Sequence, residues 1–504
     1  MHDLNTNPRR AILTALLLSL LPLTLKAAAP YFATGARVGE VSQDSAIIWS
    51  RLTAEKDRRW DGVVPMPLMS PTRVISESPD IPASEWEGAV PGIAGEIRVA
   101  FSVNPVCGEE AQRTDWVKVD EGTDFSHSFH LRGLQSGTRY YYVIEGRLTV
   151  DAPVSRSEVG TFGTAPDPDE WEDVWFSVMT CQLYYQRDDR NGFRLYRSLA
   201  HLSPIFLDYP DFMVRTGDNV YYDRDNPRGS TVDLCRLHWQ RMFSLPLLLD
   251  FLRQVPSYWQ KDDHDAFFDD SYPGLKAPWI EPLTYEDGAR IFREQTPVGD
   301  DLYRTYRWGR GIQIWLTENR DFRTPDTMPD GPDKTIWGRE QKEWLKRTLL
   351  ESDAPFKIIV SPTALVGPDN RDQADNHANE AFRREGDEFR QWAYANGLTK
   401  NLFILAGDRH WQYASTDPKT GLREFACGPA SDEMVLNGPG YDSNYHSFYR
   451  SGGGFITVSF RKGTKKVLAN PQRVVVEDGA PILTIRIHDV DGKVVHEVRE
   501  VATL

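Results

Sequence analysis

Two apolar runs in this chain each break at a Gly-Asp pair, and the two aspartates stand about 190 positions apart. Residues 211–216 run into Gly217, Asp218, Asn219, Val220 and Tyr221; residues 401–406 run into Gly407, Asp408, Arg409 and His410. Glycine lets the backbone turn sharply where a strand ends, so the next side chain can face a crevice at the carboxyl edge of a sheet. Carboxylate, phenol and imidazole in such turns are what a hard, highly charged metal centre needs. The pattern points to a metallohydrolase.

The surroundings of these runs predict the fold class. From about Trp171 strands alternate with helices: 174–179, 211–216, 312–316, 356–360 and 401–406 read as strands. Between two of them Trp337, Gln341, Trp344, Leu345 and Leu349 fall on one face of a helix over roughly 336–351. Such alternation predicts a layered α/β domain, here 171–504, whose ligand site lies at strand ends. The end of the chain returns to β, with a strand at 455–459 and a hairpin through Asp491-Gly492. Residues 30–165 read instead as all-β, with compact runs at 45–50 and 97–103 and a turn at 133–138 before the aromatic run 139–143. That arrangement predicts a fibronectin-III-like or Ig-like sandwich, interrupted by a Pro-, Ser- and Gly-rich inserted loop at 54–95.

At 504 residues the chain is too long for one ordinary core, which agrees with two domains. With 40% hydrophobic and 12% aromatic residues it can fill them, so disorder is excluded. A formal net charge of -15 repels polyphosphate backbones and excludes a dedicated nucleic-acid binder. A small anionic substrate would then need a local cationic focus, which metal ions supply. The four cysteines are too few and scattered for a disulfide framework, although one bridge is left open. Residues 1–29 read as an export signal: Arg9-Arg10, the apolar run 11–21, then Ala27-Ala28-Ala29. The paired arginines point to the twin-arginine route, with periplasmic or extracellular delivery; an ordinary secretory signal or an uncleaved anchor is the alternative. No later run is long and apolar enough to span a bilayer.

Four strand ends carry the candidate chemistry. Cys181 follows the first strand; a thiolate there would bind a transition metal, whereas a lone buried Cys is ordinarily a small core residue. Asp218 could bridge two metals and Tyr221 could add a phenolate, although Gly-Asp pairs also occur freely in surface turns. In the run Lys261-Asp262-Asp263-His264-Asp265, Asp263 is assigned to a metal and His264 to substrate; a solvated polar loop is the bland alternative. Asp408 and His410, alternate residues, could face the same side.

Together these motifs resemble the alkaline phosphatase D family of the calcineurin-like metallophosphatase superfamily. The resemblance rests on Cys181-Gln182, Gly217 to Tyr221, Asp262 to Asp265, Glu318-Asn319-Arg320 and Gly407 to His410, with the Gln341 to Leu345 helix and the preceding β domain. It implies a layered metallophosphatase β-sandwich flanked by helices. It also implies phosphomonoester or phosphodiester hydrolysis, with metal-bound hydroxide attacking phosphorus in line. By the same resemblance Cys181, Asp218 and Tyr221 would hold Fe(3+), and acidic residues including Asp263 and Asp408 would hold Ca(2+), with His410 in the ligand set. His264 would serve the leaving oxygen, and Arg320 would grip non-bridging oxygens or brace a ligand carboxylate. Two positions depart from the family pattern: Glu318 replaces an aspartate, and Lys261 stands where many relatives carry Trp. Asn376 and His377, in the polar stretch 372–380, are expected to contribute to the substrate pocket or to start a helix. A non-catalytic exported phosphate-ester- or calcium-binding protein is the rival; it predicts a broken ligand series, and this series is intact.

Overall fold

The computed structural model describes residues 29–64, 81–206, 209–370, 373–470 and 473–502. The expected export signal, residues 1–29, falls outside them except for its last residue. Among the described residues no helix is long and apolar enough to cross a membrane.

Two sheets form the larger part of the molecule. In one, Val174–Met179, Phe212–Arg215 and Ser257–Trp259 run parallel. Gly454–Arg461 and the hairpin Ile482–Asp489 with Val494–Val501 extend the sheet antiparallel on the other side. In the second, Ile312–Leu316, Phe356–Ser361, Leu402–Ala406 and Arg423–Cys427 run parallel. The antiparallel strands Arg304–Trp308, Gln412–Thr416 and His446–Arg450 complete it.

Side-chain alternation explains why these sheets stack. Phe176, Val178, Phe212 and Val214 from the first meet Ile314, Ile358, Val360, Phe403 and Leu405 from the second in one buried core. The opposite faces are covered by helices. Trp175, Met179, Met213 and Trp259 pack in a second buried cluster with residues of Arg194–Phe206, Val232–Phe243, Pro246–Leu252 and Tyr285–Gln295. Trp315, Ile359, Leu402 and Ile404 pack against Gly338–Glu351 and Arg383–Ala395. Helix starts follow local capping chemistry: Thr231 accepts from Leu234, and Thr284 forms a reciprocal capping box with Asp287. Of the expected helix face, Gln341, Leu345 and Leu349 are buried, while Trp337 is the buried residue just before the helix.

Ahead of this unit lie two antiparallel sheets. One orders Ala36–Gly39, Ser45–Arg51 and Ser126–Arg132; the other is centred on Gly95–Ser102 and Arg139–Arg147. The segment read as an inserted loop is anchored where it is described. Trp86 and Ala89 pack on Leu234 and Leu237, and Glu87 accepts the Tyr184 hydroxyl at 2.7 Å. All four cysteines are buried and free, so the disulfide left open by the sequence is not formed.

Candidate metal centre

Every strand-end motif emerges at the carboxyl edge of a parallel strand, and three of the key residues do so in the left-handed backbone region. Cys181, Asp218 and Asp408 have φ of 50°, 54° and 64°. Non-glycine residues adopt this region at a cost, and such outliers gather at functional sites. The adjoining glycines permit the close approach of loops. A Cβ on Gly217, itself at φ 105°, would lie 2.5 Å from the Asp262 Cβ, and one on Gly407 would lie 2.5 Å from the Thr216 hydroxyl.

These turns bring side chains from both sheets together. Three sets of ligand atoms each lie within 4.8 Å of one another: Cys181, Asp218 and His410; Asp218, Asp263 and His264; Asp218, Asp262 and Asp408. Asp218 belongs to all three, the geometry a bridging carboxylate requires. Its Oδ2 accepts the Tyr221 hydroxyl at 2.8 Å and lies 3.4 Å from the Cys181 Sγ. Tyr221 stands 3.5 Å from the His410 Nε2, while His410 Nδ1 is held by the Met434 carbonyl at 2.6 Å. That bond makes Nδ1 the donor and leaves Nε2 as the free ligand atom.

The electrostatics call for cations. Burial, then the nearby charges of Asp218 and Asp408, push the Cys181 thiol well up. Burial, then Asp218 and Cys181, do the same to the Tyr221 phenol. Burial with Asp263 and Asp262 raises Asp218, against the pull of His264. Asp262 rises to about 7, chiefly through burial. Asp218 Oδ1 and Asp262 Oδ2 are buried without any hydrogen-bond donor. Unpaired buried carboxylate oxygens are costly, and a bound cation is what satisfies them. The donor set fits two kinds of ion. Thiol, phenol and imidazole on one side suit a transition metal, and the carboxylates on the other suit a hard cation.

An outer layer fixes this arrangement. Asp265 accepts from the backbone N–H and side-chain amide of Asn219 and from the backbone N–H of Asp262, tying two ligand loops together. Arg320, fully buried, donates from Nε to Asp262, with Nη2 3.7 Å from Asp263 and 3.9 Å from Asp375. Behind it Glu318 accepts from the backbone N–H groups of Arg320 and Asp321, and Lys261 is ion-paired with Glu318 and, at 2.8 Å, with Asp321. Gln341 clamps the Glu318 backbone with two 2.7 Å hydrogen bonds. The two departures from the family pattern, Lys261 and Glu318, are thus partners of one another.

The centre opens to a cleft of about 120 Å³ whose walls include Asp263, His264, Asp375, Asp408, Arg409 and His410. His264 is held through Nδ1 by Asp223 at 2.7 Å, and its Nε2 is 3.4 Å from Asp269. Burial opposes a charge on this ring, but Asp223, Asp263 and Asp218 outweigh it and raise its pKa well above the ordinary value.

Residues 176–447 match the PhoD-like phosphatase family, and residues 19–166 match the PhoD-like phosphatase N-terminal domain. The chain belongs to the PhoD-like phosphatase family. Alkaline phosphatase D of Bacillus subtilis (strain 168) is 22% identical over 397 residues, which cover 67% of this chain and 64% of that protein. The chain therefore spans less than two thirds of that relative. The solved structure of PhoD superposes with a TM-score of 0.66 at 15% identity, covering 95% of this chain and 93% of the other. The purple acid phosphatase PPD1 from yellow lupin (Lupinus luteus) seeds follows the same fold with a TM-score of 0.58 at 12% identity, covering 92% and 73%.

Within this PhoD-like chain, the structure brings together Cys181, Asp218, Tyr221, Asp263, His264, Asp408 and His410. Arg320 lies directly behind the carboxylates, with its Nε donating to Asp262. Asn376 and His377 do not join the site. Asn376 is fully buried and donates to Asp369 and Asp375. His377, also fully buried, is 2.9 Å from Glu385 through Nε2 and packs its ring on Trp337. The residues of that stretch that reach the cleft are Gln373 and Asp375. Sequence reasoning also missed Asp262 as a ligand atom source, Asp223 behind His264 and the Met434 carbonyl behind His410. Asp262 alone carried a signal, its place beside Asp263.

Proposed function

We propose that this chain is a metal-dependent phosphoric ester hydrolase acting on small phosphomonoesters or phosphodiesters. The observation that carries this is the convergence of three ligand sets on Asp218 at the carboxyl edge of two sheets, with carboxylate oxygens left bare for cations. A family whose members are described as phosphatases supports the same reaction class. Cys181, Asp218, Tyr221 and His410 would hold Fe(3+), and Asp262, Asp263 and Asp408 would join Asp218 around Ca(2+). When bound, the ions supply Lewis acidity and an activated water for in-line displacement at phosphorus. His264, facing the cleft, would give a proton to the leaving oxygen while Asp223 holds its other nitrogen. Arg320 keeps the carboxylates of Asp262 and Asp263 in place.

We read the N-terminal unit, 30–165, as a fibronectin-III-like or Ig-like sandwich, and 171–504 as a metallophosphatase sandwich flanked by helices. We also place the mature protein outside the cytoplasm, delivered by the twin-arginine route. Replacing both Arg9 and Arg10 with Lys should strand the precursor inside; normal secretion would refute the route and leave the catalytic assignment untouched.

The deciding experiment is hydrolysis of a chromogenic phosphomonoester and diester at neutral to alkaline pH, with and without chelator. Turnover abolished by chelation and restored by iron and calcium is the expected result. Inactivity on both substrates with both metals supplied would favour a non-catalytic binding protein.

A further inference from the structure

The acidic cleft adjoins a second hollow, of about 220 Å³, and the two share Arg224, His410 and Leu436 as a common wall. Tyr221 and His410, assigned above to the metal centre, form its inner wall; its remaining lining has no part in the hydrolytic chemistry above. The hollow is less acidic than the cleft and has an apolar side, formed by Leu183, Met434 and Leu436, facing the polar residues Gln186, Arg224 and Glu433. Leu183 packs against the buried group of Cys181, Tyr221 and Met434, and Leu436 stands 54% exposed at its mouth. A lone exposed Leu means little, but one facing a concave surface with Leu183 and Met434 is the composition of a small-molecule pocket.

Its position is set by the centre itself. The Met434 carbonyl holds His410 at 2.6 Å, the Leu436 N–H donates to the His410 carbonyl at 3.1 Å, and the Leu183 N–H donates to the Met434 sulfur at 3.1 Å. The walls of the hollow and the ligand His410 therefore keep a fixed spacing. At the rim Glu433, exposed, repels additional anionic groups, and Arg224 is occupied by Asp269 at 2.5 Å.

We propose, on the basis of the phosphoesterase function above, that this hollow receives the organic group of the ester. The group it selects is uncharged and apolar, aryl or branched alkyl, rather than a polyol or a group bearing a second phosphate. The phosphoryl group lies on the acidic side of the shared wall and the apolar group on the other.

The test is calorimetric binding of inorganic phosphate and phenylphosphonate to the metal-loaded protein as purified. Burying a phenyl ring should make phenylphosphonate bind on the order of tenfold more tightly. Leu436→Asn, which preserves shape and charge at a half-exposed site, should cut that advantage to within about threefold, and Leu183→Asn should do likewise. Equal affinity for the two ligands in the unaltered protein, or an advantage that survives both substitutions, overturns the pocket and leaves the phosphoesterase function standing. Binding of neither ligand overturns both.

Discussion

Asn219 donates twice to one oxygen of Asp265, from its backbone N–H at 2.9 Å and its side-chain amide at 2.6 Å. The other Asp265 oxygen accepts the Asp262 N–H at 2.7 Å, so one carboxylate registers the Asp218 loop against the Asp262 loop. Asp265→Ala would leave three buried donors bare, at about 1–3 kcal/mol each. The variant should melt earlier and lose most of its metal and activity, although Asp265 is in none of the three ligand sets. Wild-type metal content by elemental analysis would show that the loops hold their register without it.

Asp218 and His264 should separate by what their loss removes. Asp218→Ala should lose metal and activity together, because the one carboxylate shared by every ligand set is gone. His264→Ala should keep most of its metal while its rate falls by roughly 10²–10⁴, the usual worth of a proton donor. Equal metal loss in both variants would make His264 a ligand.

Tyr221 predicts colour. A phenolate or thiolate on ferric iron absorbs visible light, which zinc and calcium sites do not do. The purified protein should be coloured and bleached by dithionite, and Tyr221→Phe should remove or shift the band with the fold intact. A colourless protein fully active with zinc or calcium alone would refute the ferric assignment.

Lys261 and Glu318 form a buried ion pair whose members should fail singly and recover jointly. Lys261→Met leaves the Glu318 and Asp321 carboxylates without their shared cation and should destabilise by roughly 3–5 kcal/mol. Adding Glu318→Gln should restore much of that in a denaturant titration. A double variant no better than the single one would show that Glu318 matters through Arg320 and Asp321 rather than through Lys261.

Glu385 predicts an acid transition. Burial pushes its pKa up, but hydrogen bonds from His377, Thr335 and Ile336 hold it down at about 2. A depressed carboxylate contributes stability above its unfolded pKa of about 4.3, and that contribution is lost as pH falls through the folded value. Glu385→Gln should therefore flatten the loss of stability between about pH 4.5 and 2, measured by denaturation at several pH values. An unchanged acid limb would place the sensitive group elsewhere.

Five of the parallel strands were legible because each is a compact apolar run, two of them closed by Gly-Asp and one by Cys-Gln. Val174–Met179 and Ile312–Leu316 match the sequence reading residue for residue. Gln412–Thr416 and Arg423–Cys427, inside the sheet, and His446–Arg450, at its edge, were not legible, being short runs in which polar residues interrupt the apolar ones. At the centre, residue types were readable but directions were not. Within Lys261 to Asp265 the chain leaves a strand, so no period says that Asp265 turns inward as a brace while Lys261 turns back to Glu318. The same lack of period hid the choice among Asp375, Asn376 and His377, of which only the first reaches the cleft.

The supply of ligands from two sheets sets an order of assembly. Cys181 and Asp218 leave one sheet and Asp408 and His410 the other, with the Met434 carbonyl behind them still later in the chain. No fragment ending before position 434 holds the whole constellation, and neither sheet alone can present it. The full constellation therefore exists only once the two sheets have docked, although Asp218, Asp263 and His264 already stand together at the end of one of them.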